Sequence, residues 1–398
     1  MKPDPTKDDY AEESLPPEVG APAAPERLEF QPWHKPRKQF IRAEQWLHHI
    51  KSIVDVLGMD SFKDGEPLRY LTLPGPDLLD VRMIADYCSS LDIRLKYTGF
   101  CFSTDSEERR LRQNISEFSL THNDSIAVNS RVVRLKIQEI LQKNSPAAIE
   151  MYKGGPFDVI NIDACEPLAN DGANASGRLV DTIRGITEFQ LGSRRKPWLL
   201  FLTTPIQIES ISAQSLDALH GQVLINAQND HSFADEISKY FGEAKDLKSY
   251  LLEASKTTGD GLISVFSLGI AKWLIHLAEQ ANFKVIKLKG YSYSMFRKPP
   301  YDPNMVSLCF LFEPTKLDIQ DNTGLTQNSS PTATTTLPLS NHIRALRKSM
   351  SIENLDITLR ESPIKYEECA QQTKELLTRV GYSVDDDKNG YDAWLASL

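Results

Sequence analysis

Three residues that could do chemistry follow one another closely: Asp163, Cys165 and Glu166, in the run Gly155-Pro156-Phe157-Asp158-Val159-Ile160-Asn161-Ile162-Asp163-Ala164-Cys165-Glu166-Pro167. Apart from Asn161, Val159 to Ile162 is apolar; it carries β-branched residues and is too short for a helix, which reads as a strand buried on both faces in the middle of a parallel sheet. Pro167 stops further ladder pairing. Ligands of open α/β sheets bind in the crevice at the carboxyl ends of the strands, so Asp163 and Glu166 are the candidate catalytic residues. Asp163 serves equally well as a cap for the segment that follows. Cys165 reads as a nucleophile or, in the commoner case, as a small apolar filler.

A second stretch of interest is Gln31-Pro32-Trp33-His34-Lys35-Pro36-Arg37-Lys38-Gln39-Phe40-Ile41-Arg42. Cations interleaved with aromatics suit phosphates and stacked bases, which makes Arg37, Lys38 and Arg42 candidate nucleic-acid contacts. The alternative is an anchor strip whose Trp33 and Phe40 dock on the domain. A third stretch, Gly290 to Tyr301, is another aromatic and basic loop that suits either covering a substrate or packing in a hairpin. The eight histidines show no metal-ligand spacing, and no GxSxG, P-loop or kinase signature occurs. No metal site is expected.

The elements that position these residues come from a 398-residue chain, long enough for one large domain with appendages or for two domains. Its formal net charge of -9 excludes a general polyanion binder, so any nucleic-acid contact must be local. The five cysteines lie far apart, with no CxxC pair, and read as reduced thiols. No apolar run is seen that approaches the roughly 20 residues needed to cross a bilayer. A cytoplasmic location, without membrane contact, is the resulting expectation.

Residues 1–30 hold six prolines and eight acidic residues against three basic ones and read as a disordered arm. Residues 31–64 hold the basic-aromatic strip and a helix in which Phe40, Ala43, Leu47, Ile50, Val54 and Leu57 recur at three- and four-residue steps, with Gly58 as its stop. Strands are expected at 68–73, 94–100, 125–128, 158–163, 198–203, 283–288 and 306–312. Helices are expected at 77–90, 107–118, 132–142, 178–190 and 265–281, with 206–262 mostly helical. Such alternation predicts an α/β fold: a doubly wound, mainly parallel seven-stranded sheet over residues 65–315, its last strand antiparallel. Residues 316–340 read as a flexible linker and 341–398 as a C-terminal helical appendage ending in Tyr391, Trp394 and Leu395.

This order of elements, with a helical excursion before the last hairpin, resembles the class I S-adenosylmethionine-dependent methyltransferase fold over residues 65–315. The stretches Arg69-Tyr70-Leu71-Thr72-Leu73-Pro74-Gly75 and Phe157 to Asp163 are also similar to those of bacterial proteins of unassigned role. The resemblance implies S-adenosylmethionine as cofactor, held near Gly75, Asp77, Gly99, Cys101 and Asp105, with the acceptor beside Asp163. The motifs depart from the family at two points. Thr72 stands where the first strand would end in an acid, and Cys101, a weak acceptor, stands where a carboxylate would hold the ribose hydroxyls. Two readings follow: a methyltransferase acting on nucleic acid, or an inactive relative that serves as a binding or assembly module with a protein partner.

Overall fold

The structure, a computed structural model, describes residues 28–101, 107–169, 178–241, 247–295, 302–315 and 340–398. Residues 1–27 of the proposed arm, residues 316–339 of the linker, Asp105 and the tip of the Gly290 to Tyr301 loop lie outside them. The chain forms two units, a large one spanning Pro32–Thr373 and a small one in which residues 28–31 join Lys374–Leu398. The expected C-terminal appendage therefore divides at Lys374.

Two short helical pieces, α1 (Pro36–Phe40) and α2 (His48–Leu57), flank a seven-residue π-helix, Ile41–Leu47. Gly58 ends this N-terminal strap with φ at 73°, a conformation glycine adopts without strain. Then follow β1 (Leu68–Thr72), α3 (Leu79–Ser90), β2 (Leu95–Phe100), α4 (Glu107–Thr121), β3 (Arg131–Val133), α5 (Pro146–Gly154), β4 (Val159–Asp163), α6 (Leu179–Ser193) and β5 (Trp198–Pro205). Helices α7 (Ala213–Asn229), α8 (His231–Phe241) and α9 (Leu247–Ala254) form the excursion before α10 (Asp260–Glu279). Strands β6 (Phe283–Lys287), β7 (Tyr291–Tyr293) and β8 (Met305–Pro314) come next, then α11 (Ser340–Met350), β9 (Glu353–Asn354), α12 (Leu355–Glu361) and α13 (Pro363–Thr378), with α14 (Tyr391–Ala396) at the end.

The sheet runs β3-β2-β1-β4-β5-β8-β7-β9, and β6 also pairs with β8. Strands β1 to β5 are parallel, while β8 runs antiparallel to β5, β6 and β7. This is the expected mainly parallel sheet, with β4 interior between β1 and β5. Two short strands, β7 and β9, raise the count beyond seven.

Both faces are covered. Ile160 and Ile162 of β4 belong to a core with Met151 of α5, Ile183 of α6 and Phe266 of α10. Val159 packs on the other face with Phe40, Trp46 and Ile50 of the strap and Ile84 of α3. Period-two alternation thus places Asn161 and Asp163 on the strap's face. At the opposite end of β4 the buried Asp158 pairs with Arg194 at 2.5 Å.

Three sequence expectations need correction. The helix expected at 132–142 is absent: Val132 and Val133 are in β3, Ile137–Leu141 is a short 3-10 helix, and the α-helix of this region is α5. The third strand is not at 125–128, where Ile126 makes only a single bridge to Leu95. Asn123 Oδ1 accepts from the Ser125 amide and Asn129 turns left-handed at φ 66°, so regular pairing begins at Arg131. An apolar segment of bilayer-spanning length does exist: α10 has 20 residues and mean hydropathy 1.6, but it is mostly buried against the sheet and α7.

In the small unit Phe30 stacks on Tyr382 at 5.4 Å and also touches Tyr391 and Trp394, at 5.5 and 5.4 Å. The terminal aromatics thus find a partner in the residues just before the strap.

Candidate functional site

The carboxyl ends of β1, β4, β5 and β7 meet the N-terminal strap in one polar layer. The π-helix has a wider turn than an α-helix, and its Ile41, Arg42, Gln45 and Trp46 are all buried. Lys38, one turn earlier, reaches Asp163 Oδ1 with its Nζ at 2.5 Å and lies 4.7 Å from the centre of the Trp46 ring. Burial pulls the Lys38 ammonium below its usual range, and the Asp163 carboxylate works against that shift. Asp163 keeps 26% of its side chain exposed while Lys38 keeps 3%. The strand-end carboxylate is therefore part of the packed interior's charge balance.

Beside this pair a hydrogen-bonded chain crosses the sheet. Thr203 of β5 and Ser307 of β8 share a bond of 2.8 Å, and the Ser307 hydroxyl donates to Gln45 of the strap at 2.6 Å. Gln45 in turn donates to the Ser307 and Lys289 carbonyls. Tyr293 of β7 is fully buried, with a hydroxyl that has no hydrogen-bond partner among the described residues. Burial and then the nearby Asp163 carboxylate push its phenol well above the usual range.

At the β1 end, Thr72 and Tyr70 both donate to Asp80 Oδ2, at 2.8 and 2.7 Å. The acid missing from position 72 in the sequence is thus supplied in space by the first turn of α3. Asp77 is buried, its Oδ1 bound by Arg112 Nε and Nη2 at 2.7 and 2.6 Å and its Oδ2 facing His34 Nε2 at 3.3 Å. Burial holds the His34 ring below its ordinary range even against the pull of Asp77. The turn closes with Leu78 left-handed at φ 51°, an unusual conformation for a side chain of that bulk.

The sequence-predicted residues are therefore distributed as follows. Asp163 is at the crevice, but Glu166 turns to Gln138, whose amide donates to it. Cys165 is exposed; desolvation and then the Asp163 carboxylate raise its thiol, the reverse of nucleophile activation. The proposed nucleic-acid contacts are turned inward: Lys38 holds Asp163, Arg37 pairs with Asp356, and the buried Arg42 donates to the Trp33 carbonyl at 3.1 Å. Cations committed to acids and a carbonyl of their own chain do not form a surface for an external polyanion, and the anchor reading of the strip is the one this geometry matches. Asp80, Asp356, His34, Arg112, Gln45 and Tyr293 were not singled out as site residues. His34 and Tyr293 do lie in the two aromatic–basic stretches, whereas nothing local marks the other four.

The described residues do not fit S-adenosylmethionine in the place the resemblance implies. A Cβ on Gly99 would lie 2.9 Å from Pro74 Cγ and 3.2 Å from a Val132 methyl, so the proline ring occupies the space beside that glycine. Asp77 has both oxygens engaged, and Thr72 is fully buried against Asp80. Cys101 is half-buried and brings no carboxylate. Gly75 alone opens onto free space, with nothing within 4 Å of a Cβ placed there.

Comparison with known proteins gives a family. The PP_RS20740-like family model matches residues 27–396, and the chain belongs to that family. No curated protein matches it. Among solved structures, the DszA carbon methyltransferase is similar at 12% identity and a TM-score of 0.33, over 69% of this chain and 54% of that one. The CMeT domain of the citrinin polyketide synthase is similar at 11% and 0.30, over 64% and 48%. The plantazolicin methyltransferase BpumL with SAH is similar at 13% and 0.30, over 70% and 85%. This chain thus spans about half the length of the first two. Likeness of this degree transfers no activity or cofactor to this chain.

Proposed function

We propose that this chain is a binding or assembly module on a methyltransferase-like fold, in which the crevice at the carboxyl ends of the strands is closed by the chain's own N-terminal strap. One observation carries the reading: the acids at the ends of β1 and β4 are both neutralised from within, Asp77 by Arg112 and Asp163 by Lys38. A transfer site needs its acceptor-holding groups available to the acceptor. Here Asp163 holds Lys38 of the strap and Asp77 holds Arg112 of α4. Retention of the sheet without the cofactor contacts is what a fold reused for another purpose looks like. The methyltransferase reading, with nucleic acid as acceptor, is set aside on the same ground.

The test is calorimetry of the full chain with S-adenosylmethionine and S-adenosylhomocysteine. Neither ligand is expected to give a saturable heat. The Cys101→Asp variant restores the family's ribose acid and is expected to stay silent as well, because Pro74 still lies beside Gly99. Saturable binding of either ligand by the unaltered chain would overturn the reading and return the methyltransferase alternative.

A further inference from the structure

The small unit holds a cleft of about 600 Å³, within the range of roughly 300–1,000 Å³ that binding sites occupy. It is lined by Leu28, Glu29 and Phe30 and, from α14 and the loop before it, by Lys388, Asn389 and Trp394. The Phe30 and Trp394 rings are 5.4 Å apart and half-buried, while the neighbouring Tyr382 and Tyr391 are buried. Aromatic faces beside an indole donor suit a polyproline II segment. Its proline rings pack on the faces, and its carbonyls, which make no internal hydrogen bonds, accept from the indole N–H.

A segment of that kind is attached to the cleft itself: Gly20-Ala21-Pro22-Ala23-Ala24-Pro25-Glu26-Arg27 leads straight into Leu28. We propose that the cleft is a polyproline II site and that its occupant is the chain's own Pro22-Ala23-Ala24-Pro25. The register favours this occupant. Polyproline II repeats every three residues, so Pro22, Pro25 and Leu28 share one edge, and Leu28 already lines the cleft. At about 3.1 Å per residue, Pro25 lies about 9 Å from Leu28. Alanine and proline give up almost no side-chain entropy on docking. A ligand tethered this closely is present at an effective concentration on the order of millimolar, so a proline-rich segment of a free partner would have to displace it. The inference concerns the small unit and is independent of whether the strand-end crevice binds a cofactor.

The experiment is fluorine NMR of the full chain carrying 5-fluorotryptophan at its five tryptophans, with the Trp394 resonance identified by Trp394→Phe. Pro22→Ala with Pro25→Ala should move that resonance and leave the others in place, whereas Pro16→Ala with Pro17→Ala should move none. Ser397 also lines the cleft, so under oxidised glutathione Ala24→Cys with Ser397→Cys should close an intramolecular disulfide far faster than Ala11→Cys with Ser397→Cys. A synthetic peptide of residues 18–28 should bind the Pro22→Ala, Pro25→Ala chain about tenfold or more tightly than the unaltered chain, whose site is filled. An unmoved Trp394 resonance would overturn the proposal, as would a resonance moved by Pro16→Ala with Pro17→Ala or equal linking of the two cysteine pairs. Equal binding of the peptide by both chains, or binding by neither, would overturn it too.

Discussion

Removing one partner of the Lys38–Asp163 pair at a time should expose a marked asymmetry. Asp163→Asn leaves an ammonium at a position where Lys38 keeps only 3% of its side chain exposed. Breaking a buried pair in this way costs about 3–5 kcal/mol. The loss has a ceiling, because Lys38 can give up its proton at about 1.4 kcal/mol per pH unit below its ordinary value, about 5 kcal/mol at pH 7. Lys38→Met is milder: the methionine keeps the apolar stem against Trp46, and Asp163, 26% exposed, recovers water. About 1 kcal/mol is expected there, the scale of a partly solvated ion pair. The double variant removes both charges and should fall near Lys38→Met. Chemical denaturation followed by tryptophan fluorescence and circular dichroism measures all three. The pH dependence adds a check of sign. Burial lowers the Lys38 pKa in the folded state, so between that value and 10.5 the unfolded chain binds more protons and stability rises with pH. Without Asp163 the folded-state pKa of the lysine falls further still, so the variant gains more stability than the unaltered chain as pH rises toward 10.5, and the Asp163→Asn deficit should shrink. A deficit equal to or smaller than that of Lys38→Met would refute the view of Asp163 as counter-ion to a structural lysine.

Two further perturbations test the packing around the site. Lys272 and Lys287 are each about 1% exposed, and burial lowers both to about 7. Between pH 7 and 10.5 the unfolded chain again holds the extra protons, so unfolding free energy should climb across that window, and Lys287→Met should flatten the climb and raise stability at pH 7 by on the order of 4 kcal/mol at most; equal slopes for the two proteins in denaturant titrations at pH 7 and 9.5 would contradict this. Gly99→Ala should cost about 1–3 kcal/mol by overpacking against Pro74 and Val132, whereas Gly75→Ala should stay within about 0.5 kcal/mol, since open space surrounds it. Equal midpoints for the two variants would show that the proline ring does not fill that space.

What the sequence could reveal was local. The apolar run at Val159 to Ile162 announced an interior strand, and the structure places β4 between β1 and β5. The helical spacing from Phe40 to Leu57 and the stop at Gly58 are also seen, although a π-helix occupies the middle. The helical excursion and the antiparallel closing strand followed from element order alone. What stayed hidden depends on contacts distant in the chain. Lys38 and Asp163 are 125 residues apart, and Gln45 and Ser307 are 262 apart. No period or motif can connect such pairs. The strip's cations and aromatics could have served a polynucleotide or the protein's own acids, and composition is the same in both cases. Likewise Thr72 stands for a lost acid only along the chain, position by position. In space a carboxylate stands next to it, on Asp80, where it accepts two hydroxyls. The crevice is therefore not simply eroded, with acids deleted and nothing put in their place. Its carboxylates are present and are saturated by hydroxyls, guanidinium and ammonium groups of the same chain. Restoring a single acid, as in Cys101→Asp, would not by itself rebuild a cofactor site; the partners that consume Asp77 and the proline that fills the space at Gly99 would also have to change.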